Sequence, residues 1–269
     1  MRCYIDKIVT DRDVVTDIKQ LIPDAGLRRR MSKVIKMAVS TAIETIGGVE
    51  EIDRLDGIIT ATGWGCLTDS ERFLRNIIVD KEQLLNPTPF IQSTFNTVGG
   101  QIALLRHNHC YNVTFVNRSH SFEDALLDAM MRIEDGESSN VIVGAFDEQT
   151  ASQHKIMERM GAFRNIDDGE GAVFMHLKAE ASECSMAQIS AIDFPSHTLS
   201  EQECRNIYLS GDDSELLYNS YCEFGLFPTA SAQSLAKAVK KICKGAREVV
   251  IYNEYFGASP TVVKVQCVG

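Results

Sequence analysis

The sequence predicts an α/β fold, and three observations carry that prediction. Residues 112–148 (NVTFVNRSHSFEDALLDAMMRIEDGESSNVIVGAFDE) read as strand, helix, strand. Asn112 to Val116 are rich in β-branched and aromatic residues, and Phe122, Ala125, Leu126, Ala129, Met130 and Ile133 recur at helical spacing. A second apolar run follows from Asn140 to Val143 and ends at Gly144. Asp56 to Thr62 reads as another buried strand, and Val34, Ile35, Ala38, Val39, Ala42 and Ile43 line one side of a helix. With 269 residues, 44% hydrophobic and 24% charged, the chain is long enough for a sizeable core, as one large domain or two closely packed halves.

Composition narrows the function classes. A formal charge of −10 argues against sequence-independent binding to nucleic-acid phosphates or anionic lipid, both of which favour a basic face. Eight cysteines without a C-x-x-C pair, and no basic stretch joined to an apolar N-terminal run, predict a reduced, cytoplasmic protein. No apolar run has the length of a bilayer span, and no low-complexity linker divides the chain. Internal symmetry is faint.

Taken in order, Tyr4 to Val9 form a strand, and Leu27 to Lys33 bring a basic string (LRRRMSK) to the start of the helix that carries Val34. Gly63-Trp64-Gly65 closes the strand at Asp56, and without a spaced third glycine it is a weak nucleotide-loop signal. Cys66 reads as a small buried hydrophobe, and Thr68 or Asp69 caps a helix with Phe73, Leu74, Ile77 and Ile78. Pro87 and Pro89 enforce an extended approach to a helix from Thr97 to Arg106, in which Gly99 and Gly100 call for a close backbone neighbour. His107, His109 and Cys110 fall too close together at a helix end to converge on a metal, so no metal or cofactor is expected. After Glu148 come a helix, a turn at Asp167-Asp168-Gly169 and strands from Ala172 to Leu177 and from Met186 to Ile192, with Glu170 open between a general base and a turn residue.

The candidate chemistry lies at Ser119, at the strand-to-helix turn where first-turn amides and the helix dipole favour a developing negative charge. A serine there needs a base. His120 is adjacent in sequence, but neighbours at a helix start project about 100° apart. A hydrolase or acyltransferase built on Ser119 and His120, oriented by Asp212 or Asp213, is therefore the alternative rather than the leading reading.

Several of these stretches resemble β-ketoacyl synthases. The passage from Pro87 to Ala103, which contains F-I-Q-S-T-F-N-T-V-G-G-Q-I-A, resembles the family segment beneath the active site and near the dimer seam. Asp124-Ala125 places the family's reactive cysteine on Ser119, and the D-G-E-G-A turn at Asp168 to Ala172 resembles a turn leading to a core strand. The last part matches less. Ile207 to Asp213 resembles the H-G-T-x-T loop with Ser210 at the histidine position, and Phe227 to Ala232 resembles the G-H-x-x-G-A-A-G segment with Phe227 at the other. Asn253, Phe256 and Gly257 remain of the closing turn.

The resemblance implies a thiolase-like, layered αβαβα domain over residues 1–269, with a complete first half (1–193) and an abbreviated second half (194–269). It implies a non-catalytic subunit, like a chain-length factor, acting beside an active synthase in fatty-acid-like or polyene/polyketide biosynthesis. Arg28, Arg29, Arg30 and Lys33 read first as a solvated helix start, with docking of an acidic acyl carrier protein as the sharper alternative on electrostatic grounds. A homodimer, or a heterodimer with a synthase, would cover the strand at 112–116. An acyl or carrier-protein binding module is a further alternative.

Overall fold

The computed structural model describes residues 2–211, 213–219 and 221–269. Their strands are β1 (Cys3–Thr10), β2 (Gly57–Ala61), β3 (Tyr111–Phe115), β4 (Asn140–Asp147), β5 (Gly171–Lys178), β6 (Ala187–Asp193), β7 (Ser214–Tyr218), β8 (Glu248–Asn253) and β9 (Thr261–Gln266). Before β2 lie the helices α1 (Ile18–Leu21), α2 (Ala25–Arg30) and α3 (Lys33–Ile46). Between β2 and β3 come α4 (Leu67–Val79), α5 (Pro87–Gln92) and α6 (Thr97–Leu104). Then α7 (Ser121–Glu134) precedes β4 and α8 (Ala151–Arg159) precedes β5. The second half has α9 (Glu201–Tyr208), α10 (Tyr221–Phe224) and α11 (Ser231–Ile242).

The strand order β3-β2-β4-β5-β1-β6-β9-β8-β7 contains a repeat. In the first half β2 is parallel to β3 and β4, while β5 is antiparallel to β4 and β1. In the second, β7 is parallel to β8, and β9 is antiparallel to β8 and β6. Thus β7, β8, β9 and β6 repeat β2, β4, β5 and β1, and α11 repeats α7. The symmetry that is faint in sequence is plain in topology, and among the described strands only β3 has no counterpart.

Side-chain alternation builds the layers. Ile59, Val143 and Met175 from the first half, and Val249, Ile251, Val263 and Val265 from the second, form one core with Phe122, Leu126 and Met130 of α7 and Leu235, Val239 and Ile242 of α11. The opposite face of the first half, with Ile58, Ile142, Phe146 and Phe174, packs on α3 and α6. The opposite face of the second half, with Val250, Tyr252 and Val262, meets Cys204 of α9. Five layers result, αβαβα. The two sheet halves hydrogen-bond into one, because β1 and β6 pair from Cys3↔Ile189 to Ile5↔Ala187.

Local detail departs from the sequence expectations in instructive places. β4 runs past Gly144 to Asp147; a Cβ at Gly144 would stand 2.0 Å from the Phe174 ring, so the glycine is needed for the α3-side core. Gly99 answers to close packing, since its Cβ would meet Asn112 Oδ1 at 2.6 Å, but Gly100 has open space. The helix ends at Leu104, short of Arg106. On α4, Leu74 and Ile78 are exposed rather than core. Among the described residues no helix is long and apolar enough to cross a membrane, and the described cysteine side chains are free thiols.

Candidate functional site

The turn from β3 into α7 is built tightly. Ser121 Oγ donates to the Arg118 carbonyl at 2.7 Å and accepts the Asn117 amide at 2.8 Å, while Asn117 Nδ2 reaches Asp124 Oδ2 at 2.9 Å. Arg118 takes a left-handed conformation (φ 52°), a conformation disfavoured for a side chain of this size. This places Ser119, buried, at the amino end of the central helix, where the sequence put it.

His120 is turned elsewhere. Its Nε2 lies 2.9 Å from the Ser259 carbonyl oxygen, in the turn between β8 and β9, and its ring meets Phe194 edge-on at 5.7 Å. With Nε2 on that carbonyl, Nδ1 is the ring nitrogen left to act as a base, and among the described residues no hydrogen bond joins it to Ser119. Asp213 is exposed at the start of β7, and Asp212 lies outside the described residues. Among the described residues the alternative triad is not assembled.

Two buried carboxylates that sequence reading passed over organise the surroundings. Asp147, at the end of β4, accepts from Thr62 Oγ1 (2.8 Å), the amides of Gly63 (3.0 Å) and Trp64 (2.8 Å), and the Thr229 hydroxyl (2.8 Å) and amide (3.2 Å). It therefore ties the β2 turn to the loop before α11. Burial outweighs these donors and pushes its carboxyl up to about 6. Gly63 has its own reason: a Cβ there would stand 2.2 Å from Pro228 and 3.0 Å from the Arg118 carbonyl. The G-W-G turn thus brings the Ser119 turn and the Phe227 loop together, and its glycine serves packing.

Glu123, one turn into α7, is the second. It is fully buried, its Oε1 accepts the Thr261 hydroxyl at 2.9 Å, and burial pushes it up to about 7. Asn253 is the cross-strand partner of Thr261, on the same central face, and is buried with neither amide atom bonded. An acid interrupting the apolar face shared with Leu126 and Met130 was the available sequence signal.

Phe227 joins the site, filled with hydrocarbon. It is buried with Tyr221, Leu226, Ala230 and Tyr255, the two tyrosine rings meeting at 5.9 Å, and its ring lies where a Cβ on Gly169 would be. Ser210 does not join. α9 claims residues up to Tyr208, and β7 starts at Ser214, so Ser210 precedes the strand and donates to Glu248 Oε1 at 2.6 Å. Glu248 opens β8 and Asn253 closes it, which puts Ser210 about 17 Å from the Ser119 end at the usual strand rise. The chain that does approach from β7 is Asn219, with φ 47° and its Oδ1 accepting the Glu254 amide at 2.9 Å, and Tyr221.

The basic string is partly engaged. Arg28 donates to the carbonyls of Ile22 and Pro23, Arg29 Nε to the Ala25 carbonyl at 3.2 Å, and Lys33 pairs with Glu170. Arg29 and Arg30 are exposed. Glu170, which also accepts the Gln149 amide, acts as a tie between turns.

The family model described as "Beta-ketoacyl synthase, N-terminal domain" matches residues 11–206. No curated protein matches the sequence. Among solved structures, the chain is similar to the ishigamide ketosynthase/chain length factor, with 15% identity, 94% of this chain and 86% of that chain covered, and a TM-score of 0.69. A β-ketoacyl synthase from Burkholderia phymatum STM815 gives 11% identity, 100% of both chains and 0.68. A structure of a type II PKS acyl-carrier protein in complex with its ketosynthase bound to the hexaketide gives 12%, 99% of both chains and 0.67. At such identities the structures establish the thiolase-like ketosynthase fold, and the family match across most of the chain makes this protein a member of the β-ketoacyl synthase family.

Proposed function

We propose that the chain is a non-catalytic β-ketoacyl-synthase-like subunit, acting beside an active synthase in the assembly of a fatty-acid-like or polyene/polyketide chain. One observation carries this reading: the turn that by resemblance would hold a thiolate carries Ser119, and the segment that resembles a histidine loop carries Phe227, buried with Tyr221 and Tyr255. Decarboxylative condensation uses a thiolate to hold the acyl group and imidazole donors to stabilise the enolate oxygen. Neither the hydroxyl nor the aromatic plug supplies them, and His120 is bound to Ser259.

The surface supports a partner. β3 ends the sheet, with Phe95 and Val116 exposed beside it and Leu74, Ile78, Val79 and Leu84 exposed on α4 and the loop that follows. An unpaired strand among exposed apolar side chains favours burial against another subunit, a second copy or a synthase. Arg29 and Arg30 remain open to an acidic carrier protein. Light scattering of wild type and of Val113→Lys or Phe115→Lys, alone and with an active β-ketoacyl synthase, tests the subunit reading. A charge on the seam should shift the mass from dimer to monomer, whereas a wild type monomeric in both settings at micromolar concentration would remove the reading's main support. Ser119→Cys alone should not create condensing activity, because Phe227 is unchanged.

A further inference from the structure

The two ends of the sheet are protected differently. In the first half β2 carries β3 on its outer side, in register from Gly57↔Tyr111 to Ala61↔Phe115. In the second half β7 takes the place of β2, paired with β8 from Ser214↔Glu248 to Tyr218↔Tyr252, and among the described residues no strand lies beyond it. The connection to α11 goes into α10 and a bridge from Leu226 to Asp168, and its described residues form no strand beside β7. A five-residue strand then presents about two or three outward-facing N–H and C=O groups.

Edge strands that stay solvent-exposed are commonly blunted by proline, by lysine or by an inward charge. β7 reads SELLY: it has neither proline nor lysine, and its one charged residue, Glu215, is neutralised by Lys241 of α11. Leu216, Leu217 and Tyr218 are half-exposed, and Ile207 of α9 is exposed nearby. The surrounding charge is mostly negative. Glu201 and Glu203 lie on α9, Asp213 stands before the strand, and Glu254, just past β8, meets Asn219 at the strand's end; Arg205 is tied to Glu201 and Lys264 to Glu248, and exposed Arg247 stands at the amino end. Burial first, then Cys204, Glu254, Glu201 and Glu203, push the Tyr218 hydroxyl up, so these carboxylates act together on the strand's carboxyl end.

We infer that the outer edge of β7 is a docking site for an extended, lysine- or arginine-bearing segment of a partner protein, which adds a strand where the first half carries β3. Main-chain hydrogen bonds would give the contact its affinity, and the acidic border would select basic partners. The inference rests on strand order and charge, and does not depend on the chain lacking condensing activity.

The probe is a fluorescent nine-residue peptide of alternating lysine and valine. Its controls are the glutamate counterpart and a version with alternate backbone amides N-methylated. Anisotropy at low and moderate salt should show the lysine peptide binding about tenfold or more tighter than either control, with salt weakening it. Hydrogen exchange should slow across residues 214–218, and Glu201→Lys with Asp213→Lys should weaken binding severalfold while leaving the unfolding midpoint in place. Equal binding of the lysine and glutamate peptides, or protection confined to another segment, would overturn the inference. So would concentration-dependent protection of β7 without peptide, which would assign the edge to a second copy of the chain.

Discussion

The two halves of the repeat share a scaffold and differ in what they carry at its rim. Each has a strand, a parallel pair, an antiparallel return and a central helix, and α7 and α11 pack into the same core between the sheet halves. The first half keeps three helices and β3 between its parallel strand and its central helix; the second crosses the same gap with α10 and an aromatic loop. The difference teaches which parts are under packing constraint. Removing either central helix would expose both sheet halves, whereas strand three and the loops at the rim can be shortened with the core intact.

The largest effect that tests this comparison is in the shared core. Phe122→Ala on α7 and Leu235→Ala on α11 should each cost about 2–5 kcal/mol in urea unfolding, since both side chains are fully buried in one cluster. Each should shift a single cooperative transition. Two separable transitions, with one variant moving only one of them, would break the claim that the halves share a core.

A somewhat smaller effect comes from the buried carboxyls. Glu123 and Asp147 have folded-state values pushed above their ordinary ones, to about 7 and about 6. The folded chain therefore binds more protons than the unfolded one between about pH 4 and 7. Their contribution to stability is fully present below that window and is lost as pH rises through it, roughly 3 kcal/mol for each. Glu123→Gln should flatten its share of the slope, read as the difference in urea midpoints from wild type between pH 4.5 and 8. A difference independent of pH would contradict the assignment.

The smallest effect concerns the strand that the second half lacks. Gly99 is pressed against Asn112 of β3, so Gly99→Ala should cost about 1–3 kcal/mol. Gly100→Ala, with open space around its Cβ, should be neutral or stabilise by up to about 1 kcal/mol. Equal responses at the two positions would mean that the approach of α6 to β3 is not what selects the glycine.

These contrasts also show what the sequence made legible. The strand, helix and strand around Ser119 were readable because apolar periodicity and a turn coincide there, and the passage from Pro87 to Ala103 carried its resemblance in a dense motif. Ser210 was not, because a loop-like string was read across a helix boundary. The capping box of Ser200 and Glu203, which starts α9 and leaves the chain to enter β7 only at Ser214, was present in the sequence and went unused. Asp147 and Glu123 were missed because pattern reading counts apolar positions and passes over a single acid among them. Their importance comes from neighbours 85 and 138 residues away in the chain, Thr62 and Thr261, which only the fold brings near.

The most direct test of the central claim is a condensation assay with malonyl- and acyl-carrier proteins, run with this chain alone, with an active β-ketoacyl synthase alone, and with both. The account predicts no product from this chain alone, and a rate or product length with both that differs from the synthase by itself. Condensation by the wild-type chain alone would contradict it.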